Sequence, residues 1–245
     1  MSQPNPDLFD QENRALLSAR DAYSHETGDA QLYRDALGEL ISCYGRLLRE
    51  TRRLIRRSDR EEFEMNQLNS RLHELASELE YRATHDSLTG TLNRAAVIEA
   101  ANKMLNEKSL ALIVLDIDFF KQVNDSFGHL VGDEVICGVV KAVAQCLPST
   151  GVLGRVGGEE FTVLLTDGDY TDAFNVAEQM RAAIASHNFS LPAPRQITAS
   201  FGVSWTAAGA DFSLLYGLAD EALYKAKHSG RNCVIRADQS AYNTL

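Results

Sequence analysis

Apolar residues recur every three or four positions through the first third of the chain. Between Leu37 and Ile55 they form one broad helical face that other groups must cover. A shorter helix is expected over about residues 12–24, folded back on the long one. We therefore predict an all-α accessory region over residues 1–60.

A heptad pattern follows over residues 61–84, in a segment rich in glutamate. Its apolar positions are Met65, Leu68, Leu72, Leu75 and Leu79. Such a seam pairs two copies of a helix as a coiled coil, which would make the protein a homodimer. Because the seam lasts barely two heptads, an amphipathic helix packed on its own chain is the alternative. The pattern leaves open whether Ser58 begins a new helix or the long helix continues through it.

From residue 85 onward, short apolar runs alternate with amphipathic stretches. The predicted strands are 110–117, 161–165, 197–204 and 233–235, and the predicted helices are 94–107, 130–147, 171–187 and 211–228. This order indicates an α/β fold, a central mixed sheet with flanking helices, over residues 85–237. Residues 238–245 are assigned to a C-terminal tail.

Charge and composition exclude several classes of protein. The 24 Lys and Arg against 34 Asp and Glu give a net charge of −10, which argues against broad binding to nucleic acid or to an anionic membrane. The four cysteines stand singly, without the spacing of a zinc site or a disulfide framework. No apolar run is long enough to span a bilayer and the first residues lack a signal-peptide pattern, so we expect a cytoplasmic protein.

Two carboxylates, Asp116 and Asp118, come at the end of the apolar run 110–117. A buried carboxylate without a partner is costly, and a hard cation such as Mg²⁺ would provide that partner. An Asp that caps a following helix explains the pair equally well.

A second cluster, Gly157-Gly158-Glu159-Glu160, lies between two strand-like segments. The simplest interpretation is a hairpin turn. However, adjacent carboxylates repel each other unless a cation or a proton-accepting role offsets the charge, and the glycines allow a ligand to approach the backbone closely. A ligand-binding turn is therefore the alternative to a plain hairpin.

A third cluster presents Lys227 and Arg231 where a predicted helix ends near Gly230. Cations at this place complement the helix dipole, and they are also well placed to hold phosphates.

Four motifs in order resemble the GGDEF family of diguanylate cyclases, in its GGEEF form. They are DSLTG at 86–90 with Asn93 and Arg94, DIDFFKQVND at 116–125, GGEEF at 157–161 and AKHSGRN at 226–232. The resemblance covers about residues 83–237. It implies a fold like that of class III nucleotide cyclases and the polymerase palm, and the condensation of two GTP into cyclic di-GMP and two pyrophosphates across a homodimer. A domain that binds GTP or cyclic di-GMP without turnover is the alternative.

The resemblance also implies roles for single residues. The implied ligands of Mg²⁺, or of Mn²⁺, are Asp116, the carbonyl of Ile117, Glu159 and Glu160. Glu159 also resembles the base that deprotonates the attacking 3′-hydroxyl. Lys121 resembles a catalytic cation that offsets charge on the leaving pyrophosphate. The implied substrate-binding residues are Phe119 and Phe120 through their amides, Gly157, Gly158, Lys227 and Arg231 near the triphosphate, and Asn124 and Asp133 at the guanine base.

One departure from the family concerns regulation. Many members carry an inhibitory product site with an Arg and an Asp, but Pro148 and Gly151 stand at the matching positions here. We expect no such feedback, and regulation instead by a protein partner that docks on the N-terminal helices.

Overall fold

The computed structural model describes residues 9–24, 30–166 and 168–238. The chain divides into two compact units between Ala76 and Ser77. The predicted tail at 238–245 falls outside the described residues from position 239 onward. In the part that is described, no helix is both long and apolar enough to cross a membrane.

The first unit is built from α1 (Asp10–Ser24) and most of α2 (Ala30–Thr84). The predicted short helix is confirmed, and α2 runs unbroken for 55 residues, so no new helix begins at Ser58. The two helices meet through small side chains, with Ala15, Ala36 and Cys43 buried. An ion pair of 3.1 Å between Arg46 and Glu12 also joins them.

Much of the apolar surface of α2 stays exposed in the single chain. The five heptad residues 65, 68, 72, 75 and 79 are each 46% to 67% exposed. Leu37, Ile41 and Tyr44 in the first half of the helix are each more than half exposed. Burial of these residues therefore requires another molecule or a second copy.

The second unit contains a six-stranded mixed sheet in the order β1-β3-β4-β2-β5-β6. The strands are β1 (Leu92–Asn93), β2 (Leu110–Ile117), β3 (Val152–Arg155), β4 (Glu160–Leu165), β5 (Ala199–Thr206) and β6 (Val234–Arg236). The pairs β1·β3 and β5·β6 are parallel, and the three central pairs are antiparallel. The predicted mixed sheet with flanking helices is confirmed.

Helices cover both faces of this sheet. They are α3 (Arg94–Glu107), α4 (Phe120–Phe127), α5 (His129–Cys146), α6 (Tyr170–Ser186) and α7 (Phe212–His228). All eight residues of β2 are buried, and their side chains alternate between two cores. Ile113 and Leu115 pack with α5 and α6, whereas Leu112 and Val114 pack with α3 and α7.

The predicted elements differ from the observed ones in several places. Strand β1 and the eight-residue helix α4 were not predicted, and β3 was expected only as a strand-like segment before the Gly-Gly turn, without bounds. Strand β5 begins at Ala199, two residues later than predicted, and ends at Thr206. The boundaries of α3 agree with the prediction, and those of α5, α6 and α7 agree to within one residue.

Candidate functional site

The end of β2 and the start of β4 bring three acidic residues together. Asp116 lies directly opposite Glu160 in the antiparallel register, and the next backbone hydrogen bond runs from Ile117 N to Glu159 O at 3.2 Å. Asp116 is 6% exposed, whereas Glu159 and Glu160 are half-buried. The carboxylates that the sequence separates by 43 and 44 positions are thus adjacent in the sheet.

The two glycines form the turn of the β3–β4 hairpin, as the hairpin interpretation predicted. The turn is closed by hydrogen bonds to Glu160 O, from Val156 N at 3.0 Å and from Gly157 N at 3.3 Å. A side chain at Gly157 would meet the Glu160 carboxylate, whereas nothing lies within 4 Å of a Cβ at Gly158. The turn therefore leaves open space beside the acidic residues.

Lys227, in the last turn of α7, contacts the carboxylate cluster. Its Nζ lies 2.8 Å from Asp116 Oδ2. Helix α7 can approach β5 closely because Gly202 carries no side chain, and an added Cβ would collide with the backbone of Ala219 and Leu223. Close packing of α7 on the sheet thus brings the Lys227 ammonium group to the end of β2.

Burial dominates the electrostatics of the cluster. It raises the pKa of Asp116, although the hydrogen bond and the charge of Lys227 act in the opposite direction. Burial also raises the pKa of Glu159, and the negative charge of Asp116 adds to that effect. Ionised carboxylates are therefore costly here, and a cation that entered the cluster would reduce the cost.

The donor set fits a hard divalent cation that a substrate helps to bind. Mg²⁺ is usually held by one or two carboxylates together with waters and phosphate oxygens. Asp116 and Glu160 can supply such carboxylates, with the backbone of Ile117 and the side chain of Glu159 next to them. Among the described residues, no three His, Cys, Asp or Glu side chains enclose a metal position by themselves. The cluster therefore supplies carboxylate and carbonyl oxygens of the kind that a hard divalent cation binds.

Helix α4 begins next to the cluster. Phe119 precedes it with a left-handed backbone (φ 58°), and the guanidinium of Arg231 lies 4.4 Å from the centroid of its ring. Phe120 packs into the core, so only its amide is available to a ligand, and Lys121 is exposed on the first turn. The structure thus brings Phe119 and Arg231 together.

The two expected guanine-binding residues lie on successive helices, Asn124 on α4 and Asp133 on α5. Asp133 is exposed, whereas Asn124 Oδ1 is buried without a hydrogen-bond partner in the described part of the chain. A side chain at Gly132 would collide with Asn124 Oδ1, so this glycine leaves room beside the amide. Asn124 therefore keeps a buried polar atom without a partner in the described part of the chain, packed against Gly132.

Pro148 and Gly151 lie in the connection between α5 and β3, where Gly151 N donates to Pro148 O at 2.8 Å. They form a tight turn at the positions of the family's inhibitory Arg and Asp.

Arg155, for which no role was predicted from the sequence, joins two of the motifs. Its Nη1 donates to Asp86 Oδ1 at 3.0 Å and its Nη2 donates to Gly158 O at 2.7 Å. Burial opposes ionisation of Asp86, but hydrogen bonds from Thr89 and Arg155 lower its pKa below the ordinary value. The sequence signal for this contact was an arginine two residues before a Gly-Gly pair, together with an aspartate farther upstream.

Asn93 links the start of α3 to the end of α2. Its Oδ1 accepts from Ala96 N at 3.0 Å as the N-cap of α3, and its Nδ2 donates to Ala83 O at the end of α2. Together with the Arg155–Asp86 pair, this contact ties the end of α2 to β1 and to the Gly-Gly turn.

The alternative interpretation, in which Asp116 or Asp118 caps a helix, does not hold for α4. The N-cap of α4 is Phe119, which has no side-chain capping bond. Asp118 instead accepts hydrogen bonds from Thr198, Ser200 and Asn232.

Comparison with known proteins places residues 83–233 in the family described as diguanylate cyclase, GGDEF domain. The diguanylate cyclase DgcM of Escherichia coli K12 is 36% identical over 169 residues, which cover 66% of this chain and 40% of that protein. The chain therefore spans less than half the length of this relative.

Two solved structures extend the similarity into the N-terminal helices. The diguanylate cyclase SiaD of Pseudomonas aeruginosa, solved with its activator SiaC, matches at 30% identity with a TM-score of 0.61, over 92% of this chain and 84% of that one. The coiled coil and GGDEF domain of DgcB from Caulobacter crescentus, solved with c-di-GMP, matches at 29% identity with a TM-score of 0.66, over 71% of this chain and 96% of that one. From the family match and the carboxylate cluster, we conclude that the chain belongs to the diguanylate cyclase GGDEF domain family.

Proposed function

We propose that the protein is a diguanylate cyclase of the GGEEF form, which condenses two GTP molecules into cyclic di-GMP and two pyrophosphates. The β2–β4 register, which sets Asp116 opposite Glu160 with Glu159 beside it, carries the proposal. Because GTP is the substrate, we place the reaction in the cytoplasm.

We assign the binding of a divalent cation, Mg²⁺ or Mn²⁺, to Asp116, Glu159, Glu160 and the carbonyl of Ile117. When bound, it would polarise the α-phosphate and neutralise charge on the phosphate oxygens. The buried carboxylates with raised pKa values support this assignment, since they gain most from a cation.

Glu159 is the proposed proton acceptor. The 3′-oxygen of one GTP attacks the α-phosphorus of the other, the new P–O bond forms, and the bond from this phosphorus to the β-phosphate oxygen breaks. The hydroxyl proton passes to Glu159, a half-buried carboxylate next to Glu160 and the end of β2. A second, equivalent step closes the ring and releases the second pyrophosphate.

Cations around the cluster bind the triphosphate in this proposal. Lys227 already lies against Asp116, and Arg231 lies against Phe119 beside the start of α4. Lys121 and the amides of Phe119 and Phe120 would complete the phosphate contacts, with Gly157 and Gly158 leaving room for the nucleotide. Positioning and charge neutralisation are the main sources of catalysis in phosphoryl chemistry.

Asn124 and Asp133 read the guanine base in this proposal. Asp133 would accept hydrogen bonds from the N–H groups of guanine, which adenine does not offer in the same arrangement. The buried, unpartnered Oδ1 of Asn124 supports a ligand at this place.

The reaction needs two domains, because each holds one GTP and each hydroxyl attacks the other nucleotide. The exposed heptad residues of α2 support a homodimer that sets the two sites face to face. We therefore assign residues 61–84 to a signalling helix, 85–237 to the catalytic domain and 238–245 to a tail.

We further propose that residues 1–60 bind a regulatory protein. Two observations support this: the exposed apolar residues of this region, and the likeness over 92% of the chain to SiaD, which was solved with its activator. Leu37→Glu and Ile41→Glu in the full chain should abolish any change in rate that such a partner causes. A partner whose effect survives both substitutions would place the docking surface elsewhere.

The test of the activity is incubation of the full chain with GTP and Mg²⁺, followed by chromatography. We expect cyclic di-GMP from the wild type, none from Glu159→Ala or Asp116→Ala, and no cyclic product from ATP. Asp133→Asn should weaken the use of GTP. Binding of GTP without any product would favour the alternative, a nucleotide-binding scaffold without turnover.

A further inference from the structure

Asp118 organises a buried polar network next to the carboxylate cluster. It is 5% exposed, and its two oxygens accept three hydrogen bonds. Ser200 Oγ donates to Oδ1 at 2.7 Å, while Thr198 Oγ1 and Asn232 N donate to Oδ2 at 2.7 Å and 3.0 Å. One side chain thus joins the end of β2 to β5 and to the segment between α7 and β6.

The segment that Asp118 binds has an unusual backbone. Arg231 (φ 62°) and Asn232 (φ 45°) are both left-handed without being glycines. Such conformations persist only where surrounding contacts hold them. The Asn232 side chain is held as well, since its Oδ1 accepts from Arg181 Nη1 at 3.1 Å.

The same segment positions Arg231. Its backbone N–H donates to Ala226 O at 3.2 Å, which fixes the turn to the end of α7. Its guanidinium lies over the ring of Phe119, the residue that directly follows Asp118. Asp118 is therefore connected to Arg231 on two sides, through Phe119 in the chain and through Asn232 in space.

We propose that Asp118 is a positioning residue for phosphate binding: its carboxylate holds the Asn232 N–H and thereby fixes Arg231 beside the triphosphate. The identity of the ligand rests on the proposed function. A carboxylate is suited to this role because its two oxygens can accept all three hydrogen bonds.

This role differs from that of a cation ligand in a way that can be tested. An asparagine at position 118 could accept from the Asn232 N–H and the Thr198 hydroxyl with its oxygen. Its amide could donate to the Ser200 hydroxyl, since hydroxyls both donate and accept. Asp118→Asn should therefore keep the geometry without the charge, whereas Asp118→Ala leaves the Asn232 N–H unpaired.

The experiment measures by calorimetry the Kd of the full chain for a non-hydrolysable GTP analogue with Mg²⁺. We expect Asp118→Ala to raise Kd about tenfold, comparable to Arg231→Ala, and Asp118→Asn to raise it less than about threefold. The double variant Asp118→Ala/Arg231→Ala should bind about as tightly as Arg231→Ala alone, because Asp118 acts through Arg231.

Two results would overturn the proposal. If Asp118→Asn binds as weakly as Asp118→Ala, the charge itself is required, as for a cation ligand. If the losses from Asp118→Ala and Arg231→Ala add in the double variant, Asp118 does not act through Arg231.

A milder pair of variants covers the case in which Asp118→Ala does not fold. Thr198→Val removes one donor to Asp118 and should raise Kd about threefold. Thr162→Val is the matched control, because the Thr162 hydroxyl is buried without a partner in the described part of the chain, and it should leave Kd unchanged. A wild-type Kd for Thr198→Val would overturn the proposal.

This binding measurement is independent of product formation. If the wild-type protein binds the analogue but makes no cyclic di-GMP, the proposed cyclase activity is contradicted, and the positioning role of Asp118 can still be tested by binding. If the wild-type protein does not bind the analogue at all, both the proposed cyclase activity and the positioning role of Asp118 are contradicted.

Discussion

Replacement of Gly157 by alanine is expected to displace the Glu160 carboxylate. An added Cβ would lie 2.7 Å from Glu160 Oε2, whereas ordinary van der Waals contact begins at 3.4 Å, so the oxygen must move by about 0.7 Å. Glu160 is half-buried and its side chain is flexible, so the free energy of unfolding should change by less than about 1 kcal/mol.

The chemistry should be far less tolerant of this displacement than the fold. Catalytic groups must be held to within about 0.5 Å, and a misplacement of about 1 Å can cost about 100-fold in rate. A shift of Glu160 should therefore lower the rate of cyclic di-GMP formation by about 10- to 100-fold and raise the Mg²⁺ concentration needed for half the maximal rate.

The assay follows the initial rate at saturating GTP while Mg²⁺ is varied, together with the thermal unfolding temperature. Gly217→Ala is the control, because a Cβ at this exposed position of α7 meets nothing within 4 Å. It should stabilise the helix by about 0.5–1 kcal/mol and leave the rate unchanged. Wild-type rate and Mg²⁺ dependence in Gly157→Ala would refute the assignment of Glu160 to the site.

Three further predictions concern the parts that hold the site. Gly202→Ala drives a Cβ into the backbone of α7 and should destabilise the protein by about 1–3 kcal/mol, seen as a lower unfolding temperature and a slower rate. Leu72→Glu with Leu75→Glu should lower the rate at low protein concentration without unfolding the second unit; an unchanged rate would contradict a role for the seam. Arg155→Met removes an ion pair that helps to keep the pKa of Asp86 below 3.8, so it should destabilise the protein by about 1 kcal/mol at neutral pH. This difference should shrink as the pH falls below 3.8, where Asp86 becomes protonated, and a constant difference in acid would contradict it.

The elements that the sequence predicted well are those with a strong local pattern. Strand β2 is an apolar run from Leu110 to Leu115, and α3 is preceded by Asn93, a residue that favours helix N-caps. The bounds of strand β3 were not predicted because Gly154 weakens the pattern, yet this glycine is required where Val97 and Leu92 crowd the strand.

Helix α4 was missed for a different reason. It starts after Phe119, which provides no capping signal, directly at the end of a strand. The spacing of Phe120, Val123 and Phe127, two of them buried, was the available indication of a helix.

The candidate site was predicted from motifs, and its internal contacts were not. The position of Lys227 against Asp116 depends on how closely α7 packs on β5 at Gly202, which is a long-range property. Likewise, the network of Asp118 involves partners 80 to 114 positions away in the chain. Local sequence patterns carry no information on such distant pairs.

The measurement that tests the central claim most directly is the divalent-cation dependence of cyclic di-GMP synthesis in the wild type and in Glu160→Gln. We expect no product from GTP in the presence of a chelator, product when Mg²⁺ is restored, and at least about a tenfold higher Mg²⁺ requirement in the variant. Synthesis in the presence of the chelator, or the same Mg²⁺ requirement in both proteins, would contradict the claim that these carboxylates hold the cation at the triphosphate.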